Sequence, residues 1–289
     1  MAEKIDIFHI LVQLEPELIK LSEGSLAHES KYLSVLRASL IKNFEYSFFI
    51  WTPDQEKHSF FSSAVLRGIC EEIIVLNFIK TLDCDEDREI FVKNLFSLNL
   101  LEACKAQSEF LENSMQPVVK FPNTDERINE ARNKLKELSD KYSWTPRYNK
   151  LPSIKEMAEG SGLKEFYDFV YAATSRWVHF NPSVLMRMGW GDNPNNSYKA
   201  STSNFYKYYL DFNRFYSLYL FIKFYDLFNS EFPFSEGLGE QIELFRNHLN
   251  STLRWPEIVT FEELNIKPPS LVLYALMRVT YEMKDEEEE

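Results

Sequence analysis

Tyr167, Tyr171, Ser175 and His179 recur every four residues within LKEFYDFVYAATSRWVHFNPS, Leu163–Ser183. On a helix this spacing keeps the four side chains drifting slowly along one face. Arg176 precedes His179 by three positions, so both side chains can reach one phosphate-sized ligand. An imidazole can move a proton, and a guanidinium can neutralise charge developing on a phosphoryl oxygen. A second pair of charges, Arg67 and Glu71, stands four apart in a stretch that is otherwise apolar on nearly every face between Phe60 and Ile79. Charges in such a helix are costly unless paired or used. If the two helices pack side by side, Arg67, Glu71, Tyr171, Ser175, Arg176 and His179 share one polar pocket.

Each signal also has a structural reading. His179 can simply cap a helix C-terminus, where a cation is favoured. Arg67 with Glu71 can be a buried structural ion pair. The basic, aromatic segment around Tyr142–Lys150, with Arg147 and Lys150, can stack bases or contact phosphate, or be a packed surface loop. Asn181 follows the ladder and joins Tyr171, Ser175, Arg147 and Lys150 as a candidate substrate-binding residue. Dispersed histidines at 9, 28, 58, 179 and 248 suggest no metal site, and P-loop, dinucleotide, zinc-protease and nucleophile-elbow motifs are absent. No cofactor is expected.

The elements that must position these groups read as helices. Apolar periodicity predicts helices over 4–23, with a kink or break at Pro16, and over 26–50. Further helices are expected at 55–81, 85–115, 125–142 and, capped by Ser153, to about 159. The ladder helix follows, then a loop over 181–200 broken by Asn-Pro, Gly-Trp-Gly and Asn-Pro-Asn-Asn. An aromatic-crowded core helix is expected over 202–229, and two more over 235–250 and 270–284. No repeat or domain boundary is visible. The expected architecture is one all-α domain of 289 residues, a bundle with its core over 55–229 and flanking helices at 4–50 and 235–284.

Composition narrows the function. Only 8 Gly and 12 Pro leave little room for many tight turns, which favours long helices over a sandwich of short strands. A net charge of −12 argues against broad non-specific DNA binding, while leaving room for a local basic pocket. Cys70, Cys84 and Cys104 have no metal-site spacing and read as reduced thiols, so a cytoplasmic location is expected. The N-terminal segment lacks the basic start and unbroken apolar run of a signal peptide, and no stretch reaches the length of a membrane span.

LRGICEEIIVLNFI (66–79), LPSIKEMAE (151–159) and YDFVYAATSRWVHFNPS (167–183) together resemble an uncharacterised bacterial family of helical proteins with a YxxxSxxxH motif, catalogued as a domain of unknown function. More distantly the arrangement is similar to the HEPN superfamily, which implies a HEPN-like helical core. It also implies an effector of bacterial antiphage defence or of a toxin–antitoxin system. The HEPN motif sets four to six residues between Arg and His and is typically completed across a dimer, whereas two residues separate Arg176 from His179 here. The resemblance implies a metal-independent ribonuclease or nucleotide-processing protein acting on RNA or a nucleotide, as a homodimer or with a defence-complex partner. His179 would then be the general acid/base, Arg176 and Arg67 would stabilise phosphate charge, and Glu71 would orient an arginine. The alternative is a non-catalytic binding or regulatory subunit whose pocket holds a nucleotide or fixes the core.

Overall fold

The computed structural model describes residues 6–24, 29–118, 120–144, 151–189, 199–261, 263–264 and 266–288. All regular structure among them is helical, with no strand. The predicted all-α class is therefore observed. The helices are α1 (Ile7–Ser22), α2 (Lys31–Trp51), α3 (Ser59–Lys80), α4 (Asp85–Asn113), α5 (Thr124–Lys141) and α6 (Ile154–Gly160). They continue with α7 (Lys164–Phe166), α8 (Ala172–Val178), α9 (Pro182–Arg187), α10 (Tyr206–Phe228), α11 (Glu236–Ser251) and α12 (Leu271–Glu288). No helix among the described residues is long and apolar enough to cross a membrane. The chain divides into two compact units, one of Met1–Glu23, Ser39–Cys70 and Val170–Glu289, the other of Gly24–Ala38 and Glu71–Phe169.

The first unit is built around α10. Tyr209, Phe212, Tyr216, Phe221, Phe224 and Phe228 are almost fully buried along it. A buried aromatic removes on the order of 150–250 Å² from water, so this helix supplies the unit's largest hydrophobic term. Four helices bring rings to it: Phe44 of α2 to Phe221 at 6.0 Å, Phe60 of α3 to Tyr209 at 5.2 Å, Trp177 of α8 to Phe212 at 4.7 Å, and Phe245 of α11 to Phe221 at 6.3 Å. The buried Asn213 is matched within this packing, whereas the Asn43 side-chain amide has no hydrogen-bond partner among the described residues. The Asn213 amide donates to the Ser59 carbonyl at 2.7 Å and accepts from the Ser63 hydroxyl at 2.9 Å.

The second unit contains an antiparallel pair, α4 and α5. Its sense is visible in pairs that run in opposite directions along the chain: Asp87 with Lys141, Glu102 with Arg132, and Lys105 with Asp125. Asp87 is 5 % exposed and accepts from the Tyr142 hydroxyl and, at 2.5 Å, from Lys141. Trp144 packs on Phe78 at 5.2 Å and stacks on Tyr142 at 5.4 Å, closing the end of the pair. Ser153 caps α6 as expected, in a reciprocal box with Glu156.

Two local expectations change. Pro16 does not break the helix: α1 runs through it as one element, begun by the Asp6 carboxylate accepting from the His9 amide at 3.2 Å. The expected loop over 181–200 begins as a helix, α9. The Asn181 side chain accepts from the Ser183 amide at 3.0 Å and the Val184 amide at 3.4 Å, and Pro182 fits the first turn because its missing N–H has no partner to lose there. Residues 190–198 of that expected loop lie outside the described residues.

Candidate functional site

The ladder helix is not one regular helix. Between α7 and α8, Tyr167–Tyr171 forms a π-helical turn. Such a turn inserts an extra residue and resets which side chains share a face. α8 then buries Ala173 and Thr174, sets Trp177 against Phe212 of α10, and ends at Val178.

Three predicted residues meet on this helix and α3. The Arg67 Nε donates to the Ser175 hydroxyl at 2.7 Å, and a terminal Arg67 nitrogen donates to the Tyr171 hydroxyl. The guanidinium carbon lies 3.5 Å from the centroid of the Tyr171 ring, and the Ser175 hydroxyl in turn donates to the Tyr171 carbonyl at 2.8 Å. Cation–π contact and directed hydrogen bonds thus hold Arg67 in place. Of the six residues expected to share one pocket, these three are joined by hydrogen bonds.

Two other candidates sit at helix ends. His179 is exposed as the C-cap of α8, its backbone N–H bonding the Ser175 carbonyl at 3.2 Å, and its ring has no hydrogen-bond or ion-pair partner among the described residues. Asn181 uses its side-chain oxygen as the α9 cap. Glu71 belongs to the second unit. Arg147 and Lys150 lie outside the described residues.

Arg176 lines a different cavity, of about 760 Å³, together with Ser183, Leu185, Met186, Val259 and Leu264. Its wall also carries Arg187 and Glu263, a pair that local sequence patterns did not single out. Arg187 donates from Nε at 2.7 Å and from a terminal nitrogen at 2.5 Å to the two Glu263 oxygens, in the forked geometry a guanidinium shares with a carboxylate. A further Arg187 bond reaches the Ile258 carbonyl at 2.6 Å, and its guanidinium lies 4.5 Å from the Tyr208 ring centroid. The Thr260 amide donates to Glu263 at 2.8 Å, while the Glu263 amide donates to the Thr260 hydroxyl at 3.3 Å. Burial pushes the Glu263 carboxyl up, but the Arg187 hydrogen bonds, the Thr260 amide and the charges of Arg187 and Arg176 outweigh it and hold it below the ordinary range.

The signal that could have exposed half of this pair is Thr260-Phe-Glu-Glu263, a capping-box spacing. Arg176 itself makes no hydrogen bond or ion pair among the described residues. With Arg187 paired to Glu263, the described lining of the cavity keeps the Arg176 cation, the Ser183 hydroxyl and apolar walls. That arrangement suits an anionic head group carrying an aliphatic body.

Among the described residues, the first unit is all-helical and carries an aliphatic cavity lined by Arg176. Residues 61–197 match the model of a family described as Family of unknown function (DUF5677). The match includes Arg67, Tyr171, Ser175, Arg176, His179 and Arg187, but not Glu263. No curated protein and no solved structure matches the chain.

Proposed function

We propose that this chain is a non-catalytic binding or regulatory protein that receives an anionic ligand, phosphate- or carboxylate-headed, in the cavity beside Arg176. The observation that carries this reading is that no hydrogen bond among the described residues joins the groups a phosphodiester-cleaving site must combine. Arg67 is engaged by Tyr171 and Ser175, Arg176 lines a cavity, and His179 is an exposed helix cap whose ring has no hydrogen-bond partner among the described residues. General acid–base catalysis needs the proton-moving group held within hydrogen-bond reach of the reacting atoms by its surroundings. Binding needs only the cavity, the cation and apolar walls. A thermal-shift titration with inorganic phosphate and hexyl phosphate tests the reading. Wild-type protein should be stabilised more by hexyl phosphate, and Arg176→Ala should lose that response. An equal response in Arg176→Ala would overturn it.

One observation favours the second reading, a HEPN-like ribonuclease effector of bacterial defence completed by a second copy. Val178, Phe180, Leu185 and Met186 are exposed by 45, 86, 50 and 74 %, so His179 sits in an apolar surface that another molecule would cover. On this reading, chelator-treated wild-type protein cleaves RNA and His179→Ala does not. Equal, background-level turnover by both proteins excludes it.

A further inference from the structure

A second cleft of the first unit, about 680 Å³, lies among the end of α2, α10, the end of α11 and the segment that follows it. Its walls are aromatic where the α8–α9 cavity is aliphatic. The Trp51 indole N–H donates to the Arg214 carbonyl at 3.3 Å, and the ring of His248 meets Trp51 edge-on at 5.6 Å. Trp255 leans on Phe215 at 4.8 Å yet keeps 43 % of its surface accessible. The segment carrying Trp255 is stapled to α10: the Tyr216 hydroxyl donates to the Pro256 carbonyl at 3.0 Å, and the Tyr208 hydroxyl to the Glu257 carbonyl at 2.9 Å. The platform therefore exists before any ligand arrives, which lowers the ordering cost of binding.

The polar groups of this cleft are only partly matched. Lys207, Asp211 and Arg214 follow one another at four- and three-residue spacing, so one face of α10 presents all three. Arg254 is neutralised by Glu257 at 2.8 Å. Lys207 and Asp211 make no ion pair or hydrogen bond among the described residues, although their spacing would allow one. Arg214 spends one donor on the Ile50 carbonyl at 3.4 Å and rests 5.3 Å from the Trp51 ring centroid. Asp211 is exposed, and partial desolvation by its neighbours raises its carboxyl above the ordinary range against the opposing charges of Arg214 and Lys207. A carboxylate in that position gains from a hydroxyl that donates to it.

We propose that this cleft binds a nucleoside monophosphate, with its base stacked on Trp255, its phosphate held by Lys207 and Arg214, and a sugar hydroxyl donating to Asp211. Two cations against one carboxylate favour an anion. An exposed indole favours a planar ring, whichever base it is, because stacking is tolerant of sequence. The volume lies within the range of small-molecule sites, and a net charge of −12 opposes accumulation of a long polyanion. The proposal does not rest on a ligand in the cavity beside Arg176, although Tyr208 and Thr260 of this cleft touch Arg187 and Glu263 of that cavity's wall.

Isothermal titration of the full chain with AMP and with UMP tests the assignment, with ribose 5-phosphate, adenosine and inorganic phosphate as partial ligands. Both nucleotides should bind saturably, and each partial ligand at least ten-fold more weakly. Trp255→Ala and Lys207→Ala should each weaken AMP at least ten-fold with unchanged melting temperature, and Arg176→Ala should bind as wild type. Lys207 is exposed, so its variant decides the matter if Trp255→Ala fails to fold. No saturable binding at millimolar AMP would overturn the proposal. So would ribose 5-phosphate equal to AMP, wild-type affinity in Lys207→Ala, binding confined to a single-stranded oligonucleotide, or loss of AMP in Arg176→Ala alone.

Discussion

At the scale of single residues, the electrostatic weight of the first unit rests on Arg187 and Glu263. Their side chains are 4 % and 12 % exposed, so removing either leaves a charge where water scarcely reaches. Breaking a buried pair from one side costs about 3–5 kcal/mol. Arg187→Ala should therefore lower stability by about that much, read from chemical denaturation. His179→Ala, at an exposed cap, should cost under about 1 kcal/mol. The pair also sets an acid response. Glu263 has a folded-state pKa below its unfolded value, so its contribution is complete above the ordinary carboxylate range. It is lost as the pH falls toward the folded value, because the unfolded chain takes up the proton first. Between about pH 5 and 3 the melting temperature of wild-type protein should fall more steeply than that of Glu263→Gln, which has no such proton to bind.

At the scale of elements, the short α9 decides where Arg187 stands. Its first turn depends on Asn181, whose oxygen satisfies two amides that no helical carbonyl can reach. Asn181→Ala should cost about 0.5–2 kcal/mol and accelerate hydrogen exchange at the Ser183 and Val184 amides before any effect on α10. Exchange unchanged at those two amides would mean that Pro182 and the Arg187 anchor hold α9 without the cap. The π turn at Tyr167–Tyr171 has a comparable role for the ladder. The four-residue spacing implied one slow spiral ending at His179, whereas the turn offsets the Tyr167 end, and the pair that meets Arg67 is Tyr171 with Ser175.

At the scale of the molecule, the helical periodicity of long segments fits the small number of glycines, and the result is a chain without strands among its described residues. Far-UV circular dichroism should show a helix spectrum with no strand component. The net charge of −12 acts at the same scale. Purified protein should have no general affinity for duplex or single-stranded RNA at physiological salt in a gel-shift assay, because counterion release needs a basic surface. Retained, salt-sensitive RNA binding would point instead to a basic surface that the net charge conceals.

The sequence by itself determined what depends on neighbours within a few turns: the helical class, the core role of the 202–229 aromatics, the Ser153 cap and the grouping of Tyr171 with Ser175. Period and capping chemistry are local, so they can be read along the chain. That Arg67 would join Tyr171 and Ser175 was also readable, since a charge on an apolar helix demands polar company and the ladder was a candidate to supply it. What only the tertiary structure decided lies at long separation. Arg187 meets Glu263 across 76 positions, and Arg176 lines the same cavity while His179, three residues on, faces solvent. The aromatic cleft likewise draws Trp51, Lys207, His248 and Trp255 from four separate elements. No periodicity encodes such meetings, because they follow from how helices pack around α10, and packing is settled by the shape and volume of many side chains at once.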